Sequence, residues 1–285
     1  MTMSASHASA SPAGPLTEPL LRVQGLSRRY YRSGFWRKKQ AVQALSDVSL
    51  EIQRGSTTAI VGESGSGKST LAMCIAQLET PDSGDIWLKS QRLTGLTTAE
   101  LLSIRQKIQL IFQSSASALN PRLSAVEIVA EPLDILGTAS KPRRRELALE
   151  YMQLTGLTSD LVGRSPWALS GGQRQRLAIA RALTLRPELL IFDESFSGLD
   201  LILEAQILEL LRTLKASYGF TYLVITHDLA LVAGLADHVA VMQSGKIVEQ
   251  GAASQVFRHA QHPHTRALLA AMPRWEIARP AGSGA

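Results

Sequence analysis

A glycine-rich loop that follows a short apolar run constrains this chain more than any other feature. Thr57 to Val61 is typical of a buried strand, and the loop leads from it into a helix predicted to start at Ser69. Its nine residues are Gly62, Glu63, Ser64, Gly65, Ser66, Gly67, Lys68, Ser69 and Thr70. Glycines let backbone N–H groups turn inward around phosphate oxygens, and the helix N-terminus adds positive potential. We therefore expect a nucleotide site here, where Lys68 reaches the β- and γ-phosphates and the Ser69 hydroxyl binds Mg²⁺.

A second apolar run ends in two carboxylates. Leu189 to Phe192 predicts a buried strand, and Asp193 and Glu194 follow it directly. Since ligands bind outside the carboxyl ends of strands in parallel sheets, we expect these carboxylates beside the phosphate loop. Asp193 is placed to hold Mg²⁺, and Glu194 to orient and deprotonate an attacking water. Taken alone, the segment also fits a buried strand that runs into an acidic helix cap, and it is the phosphate loop that favours catalysis.

Strands and helices alternate along most of the chain, which predicts an α/β fold whose mainly parallel sheet has helices on both faces. The middle differs, because from about residue 93 to residue 169 strand patterns become sparse and amphipathic helical stretches dominate. This region is interpreted as an inserted helical subdomain. Its predicted helices are Ala125 to Leu136 and Arg143 to Thr155, and helices are also predicted at 170–183 and 203–217. The other predicted strands are 21–23, 48–52, 222–226 and a hairpin of 238–243 with 246–250.

Composition excludes several classes of protein. Apolar residues make up 45% of the 285 residues, which is enough for a core, and no stretch reaches the roughly 18 uncharged apolar residues of a membrane span. The single cysteine, Cys74, excludes an internal disulfide and a cysteine-based metal site, and it fits a reducing compartment. The first 14 residues are small and polar with no signal-peptide core, so we expect a disordered tail in a cytoplasmic protein.

Positive charge is concentrated near the start of the chain. The net charge is 30 − 24 = +6, and the first 40 residues contain seven basic residues against one acid, Glu18. Such a surplus fits nucleic acid, anionic lipid or nucleotide phosphates, or equally a solvated basic loop. Because no aromatic-interleaved RNA motif and no DNA-reading helix signature accompanies it, we expect no nucleic-acid partner.

A third motif lies just ahead of the acidic strand. It is Leu169-Ser170-Gly171-Gly172-Gln173, followed by Arg174-Gln175-Arg176, and its glycines begin a predicted helix whose N-terminus suits an anion. The motif resembles the signature of ABC-transporter ATPases, and the resemblance runs from about Leu21 to Pro273. It implies a P-loop NTPase core of RecA type, an antiparallel β-subdomain and the inserted helical subdomain. It also implies that residues 170–173 contact the γ-phosphate of ATP held by another subunit.

Four further residues match shorter motifs of that family, and the resemblance implies a role for each. Gln113 matches the glutamine that senses Mg²⁺ and water at the hinge to the helical subdomain. His227 matches the histidine that contacts the γ-phosphate, and Asp200 ends the loop that crosses the dimer interface. Tyr30, with Tyr31 as the alternative, matches the aromatic residue that stacks on adenine.

Within the family, the chain is most similar to the ATPases of peptide and nickel importers. Residues 118–122, 130–133 and 262–269 resemble segments of those subunits. The chain departs from the importer pattern in two places: Ser114-Ser115 replace the usual Asp-Pro, and Gly198 replaces alanine or asparagine. A nickel site in the tail is an alternative to solvated side chains, and it would use His259, His262 and His264.

The resemblance implies a subunit that binds and hydrolyses ATP to energise an ABC importer for peptides or nickel complexes. ATP and Mg²⁺ are the implied cofactors, and the implied location is the cytoplasmic face of the inner membrane. The implied partners are a second ATPase subunit (a related chain or a second copy), two transmembrane permeases and, indirectly, a substrate-binding protein. An exporter ATPase, or a soluble ABC protein acting on ribosomes or DNA, is the alternative. The implied catalytic residues are Lys68, Gln113, Glu194 and His227, and the implied Mg²⁺ ligands are Ser69, Gln113 and Asp193.

The same resemblance divides the chain into parts. Residues 1–16 are a predicted disordered tail, 17–273 the ATPase domain and 274–285 a flexible tail. Within the domain, the core is 17–112 with 171–255, the helical subdomain is about 93–170 and the C-terminal segment is 256–273.

Overall fold

The computed structural model describes residues 18–34, 37–112 and 119–271. Two sheets and a group of helices make up this part of the chain. The strands are β1 (Leu21–Gly34), β2 (Arg37–Ile52), β3 (Thr57–Val61), β4 (Ser83–Leu88), β5 (Gln91–Arg92), β6 (Ile108–Ile111), β7 (Leu189–Asp193), β8 (Thr221–Thr226), β9 (His238–Gln243) and β10 (Lys246–Ala252). The helices are α1 (Lys68–Ile75), α2 (Thr98–Lys107), α3 (Ala125–Leu136), α4 (Lys141–Leu154), α5 (Gly171–Leu183), α6 (Leu201–Tyr218), α7 (Leu229–Leu235), α8 (Ala253–Arg258) and α9 (Pro263–Ala270).

A six-stranded sheet positions the site. Its order is β10-β9-β3-β8-β7-β6, in which β9 to β6 run parallel and β10 is an antiparallel edge. Strands β3, β7 and β8 are buried along their whole length, as apolar strands covered on both faces must be. Val61 pairs with Thr226, and Asp193 pairs with Ile225. This register brings the loop after β3 and the residues after β7 and β8 to the same edge of the sheet.

A four-stranded antiparallel sheet, in the order β2-β1-β4-β5, covers one side of α1. Alternating apolar residues of its strands, among them Leu26 and Ile86, are fully buried against Leu71 and Ile75 of the helix. The antiparallel β-subdomain implied by the resemblance is therefore present.

The helices of the middle segment enclose a core of their own. Ile128 and Val129 of α3 pack with Ala148 and Met152 of α4, and Leu177 of α5 joins them. The other face of α5 packs against β7. Helix α5 therefore connects the helical group to the sheet.

The α/β class is confirmed, and several elements match their predicted bounds, including β3 and α3. Strands β1 and β2 are much longer than predicted, because their outer residues are polar and basic and show no apolar alternation. Strand β6 was not predicted; it has four residues and follows a charged helix directly. Residues 93–112 fall in both the predicted core and the predicted helical subdomain. Because β6 lies in the six-stranded sheet, its part of this overlap belongs to the core.

The end of the described chain packs against β10. The Glu249 carboxylate accepts hydrogen bonds from the N–H groups of Gln261 (2.7 Å) and His262 (3.0 Å). His262 in turn caps α9, because its Nδ1 accepts the N–H of His264. The predicted tails at 1–16 and 274–285 lie outside the described residues. Within the described ranges, no helix is both long and apolar enough to span a membrane.

Candidate active site

The phosphate loop is held between two strands that leave no room for side chains. A Cβ on Gly62 would lie 2.2 Å from the Met242 carbonyl oxygen, and one on Gly67 would lie 2.3 Å from that of Ala44. Gly67 also has φ +105°, a conformation that L-residues rarely adopt. Both positions therefore require glycine. The loop ends where α1 begins, so it lies at the N-terminus of that helix, where the helix dipole favours an anion.

Lys68 is folded over this loop. Its ammonium donates hydrogen bonds to the carbonyl oxygens of Gly62 and Glu63, both at 2.8 Å, and lies 4.0 Å from Glu194 Oε1. Burial lowers the pKa of Lys68, although the carboxylates of Glu194 and Asp193 counteract part of that shift. The geometry places a buried positive charge where phosphate oxygens would replace the loop's own carbonyls as partners.

Ser69 and Asp193 form an oxygen pair at the edge of the sheet. The Ser69 hydroxyl donates a 3.0 Å hydrogen bond to Asp193 Oδ1. Burial raises the pKa of Asp193, with the hydrogen bond from Ser69 and the charge of Lys68 acting in the opposite direction. A hydroxyl and a carboxylate at this separation form an all-oxygen donor set, which is the kind that Mg²⁺ prefers. The residues present therefore fit the predicted metal.

Glu194 adopts a strained backbone conformation, with φ +47°, and its N–H donates to the Ile225 carbonyl at 2.9 Å. Non-glycine residues in this region are uncommon and cluster at functional sites. The carboxylate lies between Lys68 and His227, whose Nδ1 is 3.9 Å from Glu194 Oε2. His227 is exposed, so this group of side chains is open to solvent on the side of the histidine.

Sequence reasoning missed Ser195. Its buried hydroxyl donates a 2.6 Å hydrogen bond to the carbonyl of Ile111, the last residue of β6. The bond ties the strand that leads towards Gln113 to the strand that carries Asp193 and Glu194. Gln113 itself lies outside the described residues. The sequence does not indicate a role for Ser195, because a serine after two acids is not a motif and its hydrogen-bond partner is 84 residues away.

The predicted signature motif forms a capped helix start. Ser170 Oγ accepts the N–H of Gln173 at 3.2 Å, and Gln173 Oε1 accepts the N–H of Ser170 at 2.9 Å. A Cβ on Gly172 would lie 3.1 Å from Leu203 Cδ2, so the motif packs directly on the start of α6. Asp200 caps α6 by accepting the N–H of Leu203 at 2.8 Å. The resemblance assigns residues 170–173 and the loop that ends at Asp200 to a subunit interface. In this structure the signature motif packs against the helix start that Asp200 caps.

Tyr30 lies on β1 opposite Val42. The Arg28 guanidinium carbon is 5.0 Å from the centroid of its ring, and Arg28 forms ion pairs with Glu79 and Asp82. Two residues beyond Val42, β2 reaches the phosphate loop. This places half-buried Tyr30 near the loop, whereas Tyr31 is 64% exposed.

Comparison with known proteins decides the family. The model of the ABC transporter family matches residues 45–197. The dipeptide transport ATP-binding protein DppF of Escherichia coli is 43% identical over 260 residues, which cover 91% of this chain and 78% of that protein. The probable peptide ABC transporter ATP-binding protein y4tS of Sinorhizobium fredii is 42% identical, with 93% and 75% covered. This chain belongs to the ABC transporter family.

Solved structures agree with this assignment. The dimeric structure of MJ0796, a bacterial ABC transporter cassette, matches with a TM-score of 0.73 and 32% identity, covering 82% of this chain and 98% of that one. The cbiO1 structure from Clostridium perfringens, part of the ABC transporter complex cbiONQ, matches with a TM-score of 0.74 and 28% identity, covering 85% and 92%. The predicted family, fold and enzyme class are confirmed: the chain is an ATP-binding and ATP-hydrolysing transport ATPase.

The ABC ATPase thus brings Lys68, Ser69, Asp193, Glu194 and His227 to one sheet edge. Residues 170–173 begin α5 elsewhere, and in the described part of the chain no hydrogen bond or ion pair joins them to these five. The described residues also contain no group of three or more metal-ligating side chains that could hold a metal, His259, His262 and His264 included.

Proposed function

We propose that this chain hydrolyses ATP to energise the import of peptides across the cytoplasmic membrane. This chain covers three quarters or more of the length of two relatives that are named as dipeptide or peptide transport ATP-binding proteins. Their names support peptides over nickel complexes as cargo. The observation that carries the catalytic part is the juxtaposition of Lys68, Asp193 and Glu194 around the phosphate loop.

The geometry supports the following division of roles. Lys68 and the N–H groups of the loop bind the phosphates, and Ser69 and Asp193 would hold Mg²⁺, which neutralises phosphate charge when bound. Glu194 accepts a proton from the attacking water, and His227 contacts the γ-phosphate from the other side. Tyr30 stacks on adenine, and Gln113 reports the state of the site to the helical subdomain.

Residues 170–173 complete the site of another ATPase subunit. Their helix N-terminus is capped by Ser170 and Gln173, and these capping hydrogen bonds involve no residue of the phosphate loop of the same chain. A second cassette, either a related chain or a second copy, would therefore supply this motif in trans, with Asp200 at the contact. The dimeric form of the similar cassette MJ0796 supports this arrangement. Closure over ATP favours one conformation, and hydrolysis releases it.

One of the two permease subunits would dock in a groove between α2 and α3 of this chain, and the other on the second ATPase subunit. The groove has a volume of about 460 Å³ and is mainly apolar. Phe112 and Leu102 are about half exposed in it, and Ile135 is 73% exposed. The groove begins at the end of β6, where Ser195 holds Ile111. A permease helix seated there would meet the segment that leads to Gln113, at the cytoplasmic face of the membrane. Domain bounds of 17–273 with a helical insertion accord with this arrangement.

The test replaces Glu194 with Gln. We expect Mg-ATP binding and ATP-dependent dimer formation to persist, whereas turnover falls by about 10²–10⁴, the range for loss of a general base. Glu209→Gln, on the exposed face of α6, is the matched control and should hydrolyse ATP at the wild-type rate. Phosphate release, a fluorescent ATP analogue and size-exclusion chromatography measure the three properties. Undiminished hydrolysis by Glu194→Gln would remove Glu194 from the catalytic role.

A further inference from the structure

The ring of Tyr30 is covered on one face by an arginine of the same strand. The guanidinium carbon of Arg28 lies over the ring, 5.0 Å from its centroid. A cation within about 6 Å of the centroid is attracted to the face of an aromatic ring, and arginine makes this contact more often than lysine. A base that stacks on Tyr30 must therefore use the other face of the ring.

Two carboxylates fix the position of this guanidinium. Arg28 Nη1 donates a hydrogen bond to Asp82 Oδ1 at 3.0 Å, and Nη2 donates one to Glu79 Oε2 at 2.8 Å. Hydrogen bonds between two charged groups are stronger than neutral ones. Asp82 is itself bound to β1, because its Oδ2 accepts the N–H of Arg29 at 2.6 Å and its own N–H donates to the Ser27 carbonyl at 2.8 Å. Both ends of the guanidinium fork are therefore held beside the ring.

Glu79 connects this arginine to the phosphate loop. It follows α1, the helix that begins at Lys68 of the loop, and its N–H donates to the Met73 carbonyl of that helix at 3.2 Å. A continuous series of contacts therefore runs from the loop through α1 and Glu79 to Arg28, and from Arg28 to the ring of Tyr30. Through it, the ring has a fixed position relative to the loop.

We propose that Arg28 is a positioning residue for the nucleotide, which holds the Tyr30 ring where it meets the base of an ATP whose phosphates lie in the loop. This rests on the proposed function, in which Tyr30 stacks on adenine. Arg28 acts only through the ring, so its loss weakens the binding of the base and leaves the binding of the phosphates unchanged. If its ion pairs with Glu79 and Asp82 served the fold alone, its loss would not distinguish the base from the phosphates.

The test compares ATP with inorganic tripolyphosphate, which has the phosphates without the base, by titration calorimetry of the full chain with Mg²⁺. We expect Arg28→Met to raise the Kd of ATP about fivefold, the effect of one partly exposed cation–π contact, and to change the Kd of tripolyphosphate by less than about twofold. Arg28→Lys keeps a positive charge beside both carboxylates, so it should fold even if Arg28→Met does not. It should raise the Kd of ATP about threefold, because an ammonium stacks less well than a planar guanidinium.

Two further variants complete the test. Arg22→Met, the matched control, removes another β1 arginine that pairs with an acid, Glu51 at 3.4 Å, and both Kd values should stay at wild type. In a Tyr30→Ala background, Arg28→Met should have no further effect on the Kd of ATP, because the ring through which it acts is gone.

Three results would overturn the role of Arg28. They are equal losses of affinity for ATP and tripolyphosphate, equal effects of Arg28→Met and Arg22→Met, and a full effect of Arg28→Met in the Tyr30→Ala background. Tyr30→Ala also separates this role from the proposed function. If Tyr30→Ala binds ATP as tightly as wild type, adenine stacking itself is refuted. If Tyr30→Ala weakens ATP binding and Arg28→Met does not, only the role of Arg28 is refuted.

Discussion

The hydrogen bond from Ser195 to Ile111 gives the most direct prediction of stability. Ser195→Ala removes a 2.6 Å bond between two buried residues, 3% and 4% exposed. The bond itself contributes about 1 kcal/mol net, and a buried carbonyl that loses its partner costs about 1–3 kcal/mol. We therefore expect the free energy of unfolding to fall by about 2 kcal/mol. For a chain of this size that corresponds to a melting temperature lower by about 5 °C.

Ser197→Ala, two residues later on the exposed side of the same loop, is the control and should change the free energy of unfolding by less than about 0.5 kcal/mol. Urea denaturation followed by circular dichroism measures both variants. ATP affinity should stay close to wild type in Ser195→Ala, because the hydroxyl contacts neither Lys68 nor Ser69. If Ser195→Ala proved as stable as Ser197→Ala, the argument that this bond fastens β6 to β7 would be refuted.

Two further predictions concern the phosphate loop and the metal site. Asp193→Asn should raise the melting temperature of the nucleotide-free chain at pH 7 while weakening Mg-ATP binding. Burial raises the pKa of Asp193, so the folded chain loses stability as the pH rises through that pKa. The neutral amide of asparagine avoids this loss. Calorimetry at pH 7, with a smaller gain at lower pH, checks the sign, and a destabilised variant would contradict it. Gly67→Ala should abolish ATP binding and destabilise the chain by about 2 kcal/mol or more, since its Cβ would meet the Ala44 carbonyl at 2.3 Å in a left-handed conformation. Gly65 also has a positive φ, but no atom lies within 4 Å of its new Cβ, so Gly65→Ala tests backbone strain without the clash. Equal losses of stability in the two variants would exclude the clash as the cause.

Sequence alone predicted the parts whose chemistry is local. The phosphate loop could be identified from nine consecutive residues, because glycines, a lysine and a hydroxyl at fixed spacing already determine a loop at a helix N-terminus. Helix α3 was predicted to the residue, since its apolar face and the capping box of Ser124 with Glu127 lie within one segment. Asp193 and Glu194 were predicted at the sheet edge because the buried run before them is unbroken.

Tertiary structure decided what depends on partners far away in the chain. Strand β6 is too short to show a period, and it exists because β7 pairs with it. The outer parts of β1 and β2 lack apolar alternation and are strands only through pairing with each other. The Ser195 hydrogen bond and the contact between Gly172 and Leu203 join residues tens of positions apart, so no local sequence pattern predicts them. A sequence specifies which groups a site can contain, whereas the register of β3, β7 and β8 determines which of them meet.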